Sequence, residues 1–280
     1  MPLFQNILFP IDLNDHTEAY VKKTVKLLEP CESVIHLLHV IKPSAHWNIM
    51  QRIGNYAEET EIKKHYADIE IKLNKWKAFI EGSLSSITVK IHLMIGGHVQ
   101  DNIILTALSI KPTLIILGGH AIHERFHLYK SISTCKISDA THCTILKVKP
   151  LATGNKVKSI IIPVRDLISD PIIEFVIELG KRCRARIYLL LIVENLEDKN
   201  ERHYNSFLRA YRMLHANLNT PIEYRLVVDH HFTKLDKEYT RNIKTDMLLV
   251  DIGKREKKFF DNRYIENFLA RGAQLELLTN

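Results

Sequence analysis

Apolar residues along this chain gather into short unbroken runs, and between the runs they recur every three or four positions. Ile7–Ile11 predicts a strand, and Asp12, Asn14 and Asp15 behind it suit a turn and a helix cap. Tyr20, Val21, Thr24, Val25 and Leu28 then fall at helical spacing, which predicts a helix over Thr17–Leu28. Further strands are expected at Ser33–Val40, Thr88–Met94, Leu114–Leu117 and Thr144–Val148. Helices are expected at Glu58–Glu81, at Val99–Ser109 after Gly96-Gly97 and before Lys111-Pro112, and around Ser131–Ala140.

Leu151–Lys158, with Gly154 and Asn155 and no periodicity, reads as a linker, and beyond it the alternation starts again. Strands are predicted at Ser159–Pro163, Arg186–Val193, Ile222–Val228, Met247–Val250 and Leu275–Leu278. The intervening helices are Pro171–Cys183, Glu201–Asn217, one near Thr233–Ile243 and one near Asn262–Ala270. The expected organisation is therefore one domain over 1–150, a linker over 151–158 and a second domain over 159–280. Strands alternating with helices imply an α/β class: two doubly wound, Rossmann-like parallel sheets covered on both faces. Ligands of such sheets bind beyond the carboxyl ends of the strands. In the first half those ends carry Asp12, Val40 to Ile41, Gly96 and Gly118.

Composition narrows this further. With 46% hydrophobic and 25% charged residues the chain is ordinary for a globular protein, and at 280 residues it can bury a core without disulfides or metals. Cys31, Cys135, Cys143 and Cys183 form no CxxC pair, so free thiols in a reducing compartment are expected. No apolar run reaches the ~18–20 residues of a membrane span, and MPLFQNILFPIDLND lacks the pattern of a signal peptide. A cytoplasmic location without a membrane partner is the expectation. The net charge of +7 is dispersed, with its densest run at Lys254–Lys258, and reads as a solvated surface more than a nucleic-acid footprint.

Several segments resemble the universal stress protein family: NILFPIDLNDHTEAYVKKTVKLL, SVIHLLHVIKP, IGGHVQDNIILTALSIKPTLIILGGHAIHERF and HCTILKVKP, in that order. The likeness covers most of 3–149 and returns more faintly in KSIIIPVRDLISDPIIEFVIELGKRCRARIYLLLIVE and TDMLLVDIGKREKKFF. It implies the adenine nucleotide α-hydrolase-like fold and, in nucleotide-binding members, an adenosine held at positions matching Pro10, Asp12 and Val40. Phosphates are held in the family by a glycine loop, G-x₂-G-x₉-G-S/T, whose backbone amides approach the ligand closely. Here Gly118 matches its first glycine, with Gly119 beside it, but Ala121 replaces the second and Lys130 or Ser131 the third. Ser131 and Ser133 could still supply hydroxyls. In the second half Arg165 stands where Asp12 does in the first, and the loop after Gly253 has no further glycine before Lys258, so no nucleotide is expected there.

The resemblance thus implies a stress-related, non-enzymatic binding module for ATP or another adenine nucleotide, with Mg²⁺ if ATP is bound. A weak ATP hydrolase and a nucleotide-free protein-interaction pair are the alternatives. A pseudo-dimer of the two halves, a homodimer and an unidentified protein partner are the associations to expect, and a pairing of the last strands would bring Ile145–Val148 to Leu275–Leu278. No catalytic motif such as GxSxG or GxxxxGK[ST] is present. His120, His123 and His127, with Glu124 the sole nearby carboxylate, read as a histidine-rich surface and not as a metal site.

Overall fold

A computed structural model of the chain describes residues 4–15, 17–28, 32–41, 56–118, 132–148, 157–164, 168, 170–193, 201–228, 247–251 and 275–279. The order is β1 (Asn6–Pro10), α1 (Thr17–Leu28), β2 (Ser33–Ile41), α2 (Tyr56–Ser83), β3 (Ile87–Ile95), α3 (Val99–Ile110) and β4 (Leu114–Gly118). There follow α4 (Thr134–Thr141), β5 (Thr144–Val148), β6 (Ser159–Val164), α5 (Asp170–Cys183), β7 (Arg186–Val193), α6 (Glu201–Asn217), β8 (Ile222–Val228), β9 (Met247–Asp251) and β10 (Leu275–Thr279). The helices expected near 233–243 and 262–270 fall outside the described residues. So do the histidines at 120, 123 and 127.

Contacts divide the chain into two units: residues 1–118 with 129–133, and residues 119–128 with 134–280. In the first, β3, β2, β1 and β4 lie side by side and all run parallel. Apolar residues from both faces of β1 and β2 are buried, among them Ile7, Leu8, Phe9, Ile35, Leu37 and Leu38. A parallel sheet needs cover on both sides, which explains the near-continuous apolar runs in its strands. Each such side chain contributes about 1.5–3 kcal/mol by leaving water.

Two contacts show how helices close this sheet. α2 buries Ile69, Leu73 and Ile80, and its Glu81 Oε1 accepts the Val89 amide of the edge strand β3 at 2.8 Å. That bond uses an edge donor that would otherwise invite another strand. α3 ends where expected: Lys111 is left-handed (φ 48°) with its amide on the Ala107 carbonyl at 2.8 Å, and Pro112 follows.

In the second unit the order is β5, β10, β9, β6, β7, β8. All neighbours there are parallel except β5 and β10, which pair antiparallel with Leu275 opposite Val148 and Leu278 opposite Ile145. These are the segments that the family resemblance brings together. The pairing is also why β5 falls with the later residues in the contact division, although its pattern belongs to the first repeat.

α5 and α6 are amphipathic. Phe207, Ala210 and Leu214 bury one stripe of α6, and Gly180 of α5 lets Leu218 approach to 3.1 Å of where a Cβ would stand.

Candidate functional site

β1 lies between β2 and β4, so the chain leaves β1 toward one side and returns to the other: a switch point in strand order. At their amino ends β1 and β4 are bound tightly. The Asn6 carbonyl accepts from the Thr113 amide at 2.7 Å and from its hydroxyl at 2.9 Å, and Asn6 Nδ2 donates to the Ile110 carbonyl at 3.0 Å. Direct pairing covers Ile7 with Leu114 and Leu8 with Ile115 and stops there, although β1 continues to Pro10 and β4 to Gly118. Ladder pairing thus joins the two strands at one end and stops before the other, where Pro10 has no amide to donate.

Tyr20 of α1 meets β4 just past the end of this ladder. Its hydroxyl donates to the Ile116 carbonyl at 2.9 Å, and its ring meets Phe9 edge-on with centroids 4.9 Å apart. Burial pushes the phenol well above its usual pKa, so it stays a donor. Sequence pattern marks Tyr20 only as a core position; its polar role depends on where β4 ends its pairing.

Asp12, Val40 and Gly118 lie at this carboxyl end, as the strand pattern predicts, and Pro10 is the last residue of β1. Pro10 is opposite Leu38, and the Ile11 amide donates to the Leu38 carbonyl at 2.8 Å, so β1 and β2 remain joined up to Asp12. Behind Asp12 the backbone turns into α1. The Asn14 amide donates to the Asp12 carbonyl and to Thr17 Oγ1, both at 2.9 Å, while the Thr17 hydroxyl donates to the Asp12 carbonyl. The main chain at Asp12 is therefore fixed, and its carboxylate is exposed with Asn14 Nδ2 at 3.4 Å. His39, one residue before Val40, anchors the end of β2 through Nδ1 to the Ile11 carbonyl at 2.9 Å.

Gly96 and Gly97 follow β3 with φ of 76° and 75°. Buried Asn102 fastens this turn, its Nδ2 donating to the carbonyls of Gly96 at 2.9 Å and His98 at 3.1 Å. Gly118 differs: a Cβ there would meet the Tyr20 ring at 3.5 Å, an ordinary contact. The Ser133 amide is engaged by Gln100 Oε1 at 2.9 Å. Gly119 and Ser131 lie outside the described residues, as does the loop between them.

The second unit repeats the short ladder. β6 pairs with β9 only at Ile160 with Met247 and Ile161 with Leu248, although β6 runs to Val164 and β9 to Asp251. Its chemistry is different. The fourth residue of α5 is buried Ile173, where the fourth of α1 is Tyr20. Among the described residues no helix is long and apolar enough to cross a membrane.

Comparison with known proteins agrees with this architecture. Residues 3–134 match the Universal stress protein family. No curated protein matches the chain. A universal stress protein from Archaeoglobus fulgidus is similar in structure with a TM-score of 0.64 at 14% identity, over 98% of each chain. A putative universal stress protein from Pseudomonas aeruginosa gives 0.62 at 12% identity, over 99% of this chain and 93% of the other. The cytoplasmic domain of a prokaryotic cation chloride cotransporter gives 0.60 at 9% identity, over 98% and 95%. Likeness at such identities concerns fold, and one fold serves several tasks. Residues 3–134, just under half of the chain, thus match the universal stress protein family, and the parallel strand order around β1 agrees with that match.

Proposed function

We propose that the protein is a stress-related, non-enzymatic binding module of the cytoplasm that holds an adenine nucleotide in its first domain, residues 1–150. In this reading residues 151–158 are a linker, and residues 159–280 form a degenerate second domain without a nucleotide. The observation that carries the reading is the switch in strand order at β1, where ladder pairing with β4 ends at Leu8 and Ile115 and Asp12 and Val40 lie at the same end. The carboxyl end of the strands at a switch point is where doubly wound sheets take ligands.

The residues there fit the adenosine half of such a ligand. Asp12 offers an exposed carboxylate on a fixed backbone, able to accept from hydroxyl or amino donors, and Val40 offers an apolar flank. For the phosphate half the family pattern assigns Gly118, Gly119, Ser131 and Ser133. Because the Ser133 amide already serves Gln100, a role toward phosphate would fall to its hydroxyl. Magnesium would enter as the companion of ATP.

Calorimetric titration of the purified chain with ATP and Mg²⁺ tests the reading, beside an Asp12→Ala variant. Micromolar binding that vanishes in the variant supports it. No heat from either protein removes the nucleotide and leaves the protein-interaction alternative, which the replacement of a loop glycine by Ala121 favours.

A further inference from the structure

His36 lies in β2 and His92 in the edge strand β3. Register sets Lys90 opposite His36 and Leu38 opposite His92, so the histidines are diagonal neighbours on one face of the sheet. His36 Nδ1 stands 2.8 Å from His92 Nε2, with the ring planes tilted by 32° and the centroids 5.0 Å apart. The nitrogen gap and the two ring radii together nearly span the centroid distance, so the two nitrogens face each other almost head-on. This is a hydrogen bond: one nitrogen donates and the other accepts, so the facing nitrogens share a single proton.

Two charged rings could not share such a contact. Burial, the other histidine and Lys90 keep His36 below the ordinary imidazole value. Burial and Lys90 do the same for His92. Neutral imidazole is also the form that ligates metals. The nucleotide reading makes no use of either ring.

We propose that His36 Nδ1 and His92 Nε2 form a two-histidine site for a late first-row divalent metal ion of the zinc and copper class. With metal–nitrogen bonds of about 2.0–2.1 Å and a tetrahedral angle, ligating nitrogens stand about 3.3 Å apart and their ring centres about 5 Å. The ring centres already have that spacing. Chelation therefore requires the rings to swivel, opening the nitrogens by about half an ångström, while the strands stay in place.

The donor ring passes its proton from the facing nitrogen to its far one, Nδ1 to Nε2 in His36 or Nε2 to Nδ1 in His92. Each neutral ring keeps one proton throughout, and both facing lone pairs become free for the metal. Among the described residues no group of three or more His, Cys, Asp or Glu is placed to hold a metal. The remaining positions on the ion would therefore go to water. Exposed Lys90 opposes the cation, so the site binds below its full strength while that charge is present.

The test is a Zn²⁺ titration of the full chain near neutral pH, followed by proton–nitrogen correlation spectra of the histidine rings. There are 15 histidines, so His36→Gln and His92→Gln variants supply the assignments. His36 Nδ1 and His92 Nε2 are expected to move together to metal-bound shifts, and Lys90→Ala to tighten binding several-fold. The proposal is overturned if both nitrogens keep their hydrogen-bonded shifts while other histidines respond, or if one moves without the other. Should a glutamine variant fail to fold, its sister variant and the Lys90→Ala titration decide. A negative result leaves the ATP reading intact, because Asp12 and Val40 are probed separately.

Discussion

The phenol of Tyr20 donates to the carbonyl of Ile116, joining α1 to β4 just past the last residues at which β4 pairs with β1. The bond supplies a partner to a buried strand carbonyl where ladder pairing with the neighbouring strand has ended. Removing it should be expensive, because a buried acceptor without a partner bears its full desolvation cost. Tyr20→Phe keeps the ring contact with Phe9 and should lower stability by about 1–3 kcal/mol, read from urea unfolding. Unchanged stability would mean that water reaches the Ile116 carbonyl.

The His36–His92 pair predicts a dependence on pH whose sign follows from the direction of the shifts. Both rings have folded pKa values below 6.5, so between those values and 6.5 the unfolded chain binds protons that the folded chain does not. Stability should fall as pH drops below 6.5 and level off, for this pair, beneath the folded values. Urea midpoints compared between the chain and His92→Gln across that range measure it. The variant should show a shallower decline; equal slopes would remove the pair as the source.

Two glycines at the carboxyl end of the first sheet should respond differently to alanine. Gly97 has φ of +75° and its Cβ would meet Asn102 Nδ2 at 3.1 Å, so Gly97→Ala should cost about 1–2 kcal/mol. Gly118→Ala places a methyl in ordinary contact with the Tyr20 ring and should stay within about 0.5 kcal/mol. Thermal unfolding of the two variants side by side gives the comparison, and equal losses would contradict it.

Leu277 stands opposite Leu146 in the β5–β10 ladder and beside Leu249 of β9. Proline there removes a ladder amide from a strand with neighbours on both sides, a position the residue does not tolerate. Leu277→Pro should expose the amides of Ile145–Val148 to rapid hydrogen exchange. Amides that remain protected would show β5 to be held without β10.

Most of this architecture is written in local patterns. α1, β5, β7, α6 and β8 begin and end where apolar periodicity places them, because each is bounded by a turn residue or a break in period. The helix expected to start around Ser131 starts at Thr134, behind Ser133, whose amide donates to Gln100 Oε1. Asp12 and Val40 are legible as strand ends. The roles of Tyr20, Asn102 and His92 are not, because each depends on a partner distant in sequence or on a turn whose shape no periodicity encodes. Nor could spacing alone show that the ladder between β1 and β4 ends after two paired residues.

The antiparallel meeting of β5 with β10 also has a consequence for how the protein is made. Nearly half the chain separates the two strands, so β5 emerges from the ribosome long before its partner does. The four parallel strands of the first unit can assemble meanwhile, whereas Thr144–Val148 must wait with one edge unpaired until residue 279 has been translated. Nascent chains stalled before β10 would then carry an open strand that can recruit chaperones or a neighbouring polypeptide.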